Sequence, residues 1–441
     1  MILDNWLAQR AQTCPDRTAL IAEGRSITYE ELEADATAAA RRLAAHGVRR
    51  GATVTLELPF GTDYVVLLHA LMKLGAIAEP LNTRLAPTER AAELQRAEPV
   101  LAVSQAGDVG GPEADLPLLG EHDLDAIQCR VMTSGTSGHA RPIELTYGNH
   151  LWSAVGSAFN LGVDPSDRWL CCLPLYHVSG LEIVMRSVIY GTGAVVHDGF
   201  AVEGVAEALE RDGVTLMSVV TTQLTRLLEA GIDLSGPRAI LVGGGPVPLE
   251  VLEEAIGRGA AVVQTYGLTE TASQVTTLAP QEARRKLGSA GRALLTTHLR
   301  IQDGEILVQG PVVAPGCADE DGWLHTGDLG RIDHGGFLYV EDRLGDLIVS
   351  GGENVLPTEV EEVLLRHPDV ADAAAVGRAD AEWQEAVEAV VVLRDGAAAG
   401  AAELRRHCAE SLAGYKVPKR FEFVSELPRT DSGKLLRQAL R

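Results

Sequence analysis

Long apolar runs are absent from this 441-residue chain. No stretch approaches the roughly 18 apolar residues of a membrane-spanning helix, so no membrane is expected as a partner. The opening residues, Met1-Ile2-Leu3-Asp4-Asn5-Trp6, lack the basic start and apolar stretch of a secretory signal. A cytoplasmic protein with reduced thiols is therefore expected. Positive charge is scarce: 38 Lys and Arg stand against 61 Asp and Glu, a net charge of -23. That balance argues against nucleic acid, whose phosphates want a basic surface. A polyphosphate ligand would need cations gathered locally, or a metal ion. Cysteines number six (Cys14, Cys129, Cys171, Cys172, Cys317 and Cys408), with no metal-ligand spacing and no evident base partner. They argue for small buried hydrophobes, Cys171-Cys172 above all, rather than for a thiol nucleophile. Internal repeats are also missing.

What is present is ordinary for a globular protein, with 46% hydrophobic and 22% charged residues. The length exceeds one hydrophobic core and predicts two or three units. An amphipathic helix is expected over 28–48, with Thr28 and Glu31 in capping-box spacing. Thr53–Leu58 alternates like a strand, and 64–74 reads as helix. Further short apolar strands at 194–196, 216–220, 239–242 and 261–263 alternate with helical stretches. That pattern argues for parallel sheets flanked by helices to about residue 270. After residue 290 short strands and glycine turns predict a small β-rich module. From Arg343 a compact piece of about 100 residues mixes strands, including 387–393, with a helix at 401–412; 394–402 reads as a surface turn.

Thr133-Ser134-Gly135-Thr136-Ser137-Gly138 is the most informative stretch. Small hydroxylated residues and glycines cannot build a core, but their N–H and O–H donors suit phosphate oxygens. Arg141 follows closely. Composition alone leaves a polar linker equally open. Gly243-Gly244-Gly245-Pro246 follows a strand and precedes a helix, where glycine lets a flat ligand approach the backbone or simply makes a tight turn. Gln264 to Thr271 offers an aromatic face, hydroxyls and a carboxylate at a strand end. His325-Thr326-Gly327-Asp328, Asp342-Arg343 and Pro428 to Lys434 complete the set.

In this order the motifs resemble the adenylate-forming superfamily, which includes acyl-CoA synthetases, from about Trp6 to Arg437. The resemblance implies an α/β fold: a large N-terminal domain of helix-flanked sheets plus a small β-barrel-like module, then a small mobile α+β C-terminal domain. The expected domains are 1–342, holding the ATP and acyl pockets, and 343–441, carrying the catalytic lysine. It implies that Thr133, Ser134, Gly135, Thr136, Ser137 and Gly138 hold the β- and γ-phosphates of ATP, with Arg141 beside them. Gly243, Gly244, Gly245, Thr265, Tyr266 and Gly267 would border the adenine, and Thr269 would touch the α-phosphate. Glu270 would bind Mg2+, which takes carboxylate and phosphate oxygens. Asp328 would accept both ribose hydroxyls, with Arg343 nearby. Lys434 would bridge the carboxylate substrate and the ribose–phosphate oxygens. Gly345 would be the hinge, with Gly351, Gly352 and Glu353 on the CoA side.

The segments around 147–191, 274–278 and 288–291 are similar to the 2-succinylbenzoate–CoA ligase group of that superfamily. This implies ATP, Mg2+ and coenzyme A as cofactors and a small carboxylate as substrate, in menaquinone synthesis. His177, Ser179, Thr265 and Arg186 would line the acyl pocket, and Arg186 or Arg226 would meet the second carboxylate of a diacid, since burying it unpaired is costly. Relatives usually continue the phosphate loop with Pro-Lys-Gly, where this chain has Ala140-Arg141-Pro142. The planar guanidinium and the ring-locked φ of Pro142 make a stiffer loop. That departure keeps two alternatives open: a CoA ligase for another aryl or small acid, and a non-catalytic ATP-binding paralogue. A homodimer or higher oligomer is left open.

Overall fold

The computed structural model describes residues 1–133, 141–350, 353–380, 383–430 and 435–441. It divides into two compact units: Met1–Gly243 with Leu249–Leu299 and Val308–Leu324, and Gly244–Pro248 with Arg300–Leu307 and His325–Arg441.

Local chemistry sets the first unit's elements. The helix Tyr29–Ala45 starts at Thr28, whose hydroxyl accepts the Glu31 N–H while the Glu31 carboxylate accepts the Thr28 N–H. This is the capping box that the spacing predicts. The helix Thr62–Leu74 is buried on every side. Its one interior cation, Lys73, is satisfied by Glu33 at 2.5 Å. Strands such as Ala239–Gly243 are apolar on both faces, as parallel strands under two helical layers must be.

Nine strands form the larger sheet, in the order Arg292–Ala293, Ser273–Thr277, Val262–Leu268, Ala239–Gly243, Leu216–Val220, Arg168–Cys171, Gly193–Val196, Thr18–Ala22, Arg25–Thr28. The central pairs are parallel. The strands at both margins are antiparallel additions. A second sheet runs Leu101–Val103, Thr53–Leu56, Ile77–Pro80, Ile127–Thr133, Arg141–Thr146. It is parallel up to its last pair, an antiparallel hairpin with Thr133 opposite Arg141. The expected parallel strands form the sheet centres, and hairpins close the margins where no crossover helix follows. Gln264–Leu268 is likewise part of its strand and not a turn after it.

The β-rich module expected after residue 290 is a four-stranded sheet of His298–Gln302, Glu305–Gln309, Leu324–Ile332 and Leu338–Arg343. In the second unit a five-stranded sheet pairs Val370–Asp380 with Gln384–Leu393 and adds Arg420–Phe423 in parallel. Ile348, Val360, Leu364, Val387, Leu404 and Cys408 share its core, under the helices Pro357–Leu365 and Ala401–Ser411. The fold is thus mixed α/β, a large N-terminal part followed by a small α+β one. No helix among the described residues is long and apolar enough to cross a membrane.

Candidate active site

Three candidate segments of the first unit lie at the carboxyl ends of its parallel strands, where open α/β sheets bind ligands. Gly243 ends one strand, and Thr265, Tyr266 and Gly267 end its parallel neighbour. His177 and Ser179 open the helix that follows the strand Arg168–Cys171.

Close backbone packing shapes the Thr265–Glu270 segment. A side chain at Gly243 would meet the Thr265 carbonyl at 2.9 Å, and one at Gly267 would overlap the Ser273 carbonyl at 1.5 Å. Both glycines are therefore required by strand-to-strand approach before any ligand is considered. The pairing slips between Tyr266 and Gly267, a bulge that re-aims the chain. A short 3-10 turn, Thr269–Thr271, then presents Glu270, and the Glu270 carbonyl is held by the Ala314 N–H at 2.8 Å. Ala272 and Ser273 take left-handed φ values of 47° and 85°. Such residues cost about 1–3 kcal/mol each and concentrate at functional turns. The Thr265 hydroxyl is committed to its partner strand, 2.9 Å from the Thr276 carbonyl and 2.8 Å from the Thr277 hydroxyl.

Arg141 Nη2 donates to Glu270 Oε1 at 3.0 Å. The cation and carboxylate that the sequence assigns to phosphate and metal thus already face each other. Cys317 lies close by, and burial, reinforced by Glu270, pushes its thiol up. Burial likewise pushes up the Cys129, Cys171 and Cys172 thiols, the last to about 12, and Cys408 to about 11. None of these four is a ready nucleophile. Among the described residues no group of three or more His, Cys, Asp or Glu could hold a metal. A single partly exposed carboxylate, Glu270, fits an ion whose other ligands are phosphate oxygens and water.

On the acyl side, His177 sets its ring edge-on to Tyr176 at 4.8 Å, and Ser179 is half-buried in the first helical turn. Arg186 lies in the core. It is 2% exposed, ion-paired with Glu182 at 3.7 Å, bonded to the Ser153 hydroxyl at 2.9 Å and set over the Trp169 ring. Arg226 lies over the Phe200 ring, 5.4 Å from its centroid.

In the second unit Asp328 is buried and its Oδ1 pairs with Arg343 Nε at 2.9 Å, the two residues being directly opposite across two strands. Asp342 is buried as well and accepts the Thr358 N–H at 3.0 Å and the Arg343 N–H at 2.8 Å. The strand pair therefore presents Asp328 and Arg343 as a fixed unit. Gly244 takes a left-handed φ of 82°, and Gly245 is exposed. Gly345 sits in an exposed turn, Leu344–Asp346, with nothing near its Cα, and Glu353 is exposed. Ser134, Gly135, Thr136, Ser137, Gly138, Gly351, Gly352 and Lys434 lie outside the described residues.

The AMP-binding enzyme family matches residues 7–128 and 120–317, and its C-terminal domain matches 359–434. This chain belongs to that family. It is 42% identical to a 2-succinylbenzoate–CoA ligase of Bacillus cereus, across 100% of this chain and 98% of that protein. The Bacillus subtilis 2-succinylbenzoate–CoA ligase is 41% identical, across 99% and 97%. A structure of o-succinylbenzoate CoA synthetase from Bacillus subtilis, in complex with the acyl-adenylate intermediate, superposes with a TM-score of 0.94 at 40% identity, covering 100% of this chain and 98% of that one. The same enzyme with ATP and magnesium ion gives 0.92 at 41%, covering both chains completely. ATP-bound MatB from Rhodopseudomonas palustris gives 0.90 at 26%, covering 100% and 98%.

Sequence reasoning missed two groups in this family member. Gln274 is buried beside Thr265, with its Nε2 3.1 Å from Thr277 Oγ1. His150 and Glu182 form a buried polar pair beside Arg186. The second had a readable signal, since Glu182 and Arg186 are spaced i,i+4 within an otherwise apolar helix.

Proposed function

We propose that the chain activates 2-succinylbenzoate with ATP and passes the acyl group to coenzyme A, as a ligase of menaquinone synthesis. One observation carries the substrate assignment: full-length likeness at 40% identity to an enzyme solved with the o-succinylbenzoate acyl-adenylate. The geometry supports the reaction class. In the first step a carboxylate oxygen attacks the α-phosphorus and pyrophosphate leaves. In the second the CoA thiolate attacks the acyl carbon and AMP leaves with that oxygen. Positioning and charge neutralisation carry such a reaction.

The roles proposed are those that the family motifs assign. Tyr266, with Gly243 to Gly245, borders the adenine. Asp328 receives the ribose hydroxyls, held in orientation by Arg343. Thr269 faces the α-phosphate, and Glu270 takes Mg2+, which supplies charge neutralisation when bound. Arg141 then exchanges Glu270 for phosphate oxygens. The loop Thr133 to Gly138 and Lys434 keep the phosphate and carboxylate roles that the family motif gives them, with His177, Ser179 and Thr265 on the acyl side. The functional boundary lies at 342/343, with Gly345 as the hinge of a mobile C-terminal domain. A cytoplasmic setting fits ATP and CoA as substrates.

The test is pyrophosphate exchange and thioester formation against a panel of acids. Exchange and 2-succinylbenzoyl-CoA formation with 2-succinylbenzoate are expected. Exchange with benzoate alone, or with no acid, overturns the assignment.

A further inference from the structure

A line of buried polar groups runs behind the metal-binding turn. Cys129, on the strand that ends at Thr133, places Sγ 3.6 Å from His150 Nε2. His150 Nδ1 lies 2.5 Å from Glu182 Oε1. Glu182 Oε2 faces Arg186 Nε at 3.7 Å, an ion pair without a hydrogen bond, and Arg186 Nη2 donates to Ser153 Oγ at 2.9 Å. The Ser153 hydroxyl in turn donates to the Ala272 carbonyl at 2.6 Å. His150, Ser153 and Glu182 are fully buried, and Arg186 is 2% exposed.

Interior charge of this kind is expensive to keep. Apolar residues of similar volume would fill the same space, so its retention calls for a task. Its terminus suggests one. Ala272 has a left-handed φ of 47° and Ser273 of 85°, and neither residue is glycine. A backbone so placed persists only when its surroundings over-determine it. The Ser153 bond holds the carbonyl of the first of these residues, directly after the turn that carries Thr269 and Glu270. The Ala272 N–H closes that same turn onto the Thr269 carbonyl at 3.1 Å.

We propose that Ser153 and Arg186 are positioning residues which, through the Ala272 carbonyl, fix the turn that presents Glu270 to Mg2+ and Thr269 to the nucleotide. Glu182 and His150 hold Arg186 in place. The inference rests on the adenylation reading above, but its central readout does not need turnover.

The test uses the full chain with Ser153→Ala and Arg186→Lys, the second keeping a charge for Glu182 while losing the planar fork that reaches Ser153. Calorimetric titration with ATP, with and without Mg2+, reads the metal-dependent gain in affinity. That gain is expected to fall about 10- to 100-fold in both variants, the range for groups that orient a metal ligand. Ser187→Ala is the matched control: its hydroxyl is buried on the same helix as Arg186 and has no hydrogen-bond partner among the described residues. It should titrate as wild type. Variants that keep the wild-type metal-dependent gain overturn the proposal. So does an equal loss with and without Mg2+ accompanied by a fall in Tm, which would mark a merely structural role. Wild type that binds Mg·ATP yet activates no acid would sink the functional reading and leave the titration decisive for this one.

Discussion

Two carboxylate–guanidinium pairs, one in each unit, look alike on paper and differ in setting. Glu270 with Arg141 bridges a 3-10 turn and a hairpin end, and its side chains are 16% and 59% exposed. Asp328 with Arg343 crosses two paired strands and is 8% and 27% exposed. The first pair is open to water and easily exchanged, since exposed ion pairs are worth about 0–1 kcal/mol. The second is pinned by strand register and by Asp342 behind it. A carboxylate meant to exchange its guanidinium partner for a metal needs the first setting. One meant to offer a fixed acceptor to a ribose needs the second.

The contrast can be broken most directly at Asp328. Asp328→Ala should lower pyrophosphate exchange by about 10²- to 10⁴-fold, since two charge-assisted hydrogen bonds of about 1.5–3 kcal/mol each are lost. A change below tenfold would mean that Asp328 meets no ribose. Glu270→Gln should cost about 10- to 100-fold, with the Mg2+ requirement rising and ATP binding in the absence of metal little affected. An unchanged Mg2+ titration would remove Glu270 from the metal site.

Acid should weaken the first unit through its interior histidines. Burial, with help from Lys73, holds His69 at about 3 and His122 at about 4, below the ordinary 6.5. A depressed histidine favours proton uptake by the unfolded chain, so stability is intact above the unfolded value. It is lost as pH falls from about 6.5 toward the folded values, at about 1.4 kcal/mol per pH unit for each histidine. Melting curves at pH 7, 6 and 5 should show this fall, and His122→Phe should flatten it. A Tm that holds level down to pH 5 would contradict the assignment. The smallest effect belongs to Arg141→Lys. Its exposure limits the stability change to less than about 1 kcal/mol, and any loss of exchange activity should grow with salt. A large drop in Tm would show that the Arg141–Glu270 pair is structural.

Much of this was legible where one residue's chemistry decides the local outcome. Thr28 and Glu31 announce a helix start that no neighbour needs to confirm. Tyr266-Gly267-Leu268-Thr269-Glu270 announces a turn with a carboxylate at its tip, although the strand proved to run through Leu268. Less legible was anything set by a distant partner. Gly267 reads as a ligand-site residue, yet the Ser273 carbonyl alone forbids a side chain there. Arg186 reads as a cation near an acyl pocket, and its ion pair with Glu182, one helical turn earlier, lies in the core. That spacing was visible in the sequence, but its burial depends on how the helix packs. The hairpin that brings Arg141 opposite Thr133 was hidden because pairing between residues that far apart is a tertiary fact.

The central claim is that an organic acid attacks the innermost phosphorus of the nucleotide. Turnover of 2-succinylbenzoate labelled with ¹⁸O in its carboxylates, with ATP, Mg2+ and CoA, tests it in one mass spectrum. The account predicts one ¹⁸O atom in the AMP released and none in pyrophosphate. Label in pyrophosphate, or unlabelled AMP alongside thioester formation, would contradict it.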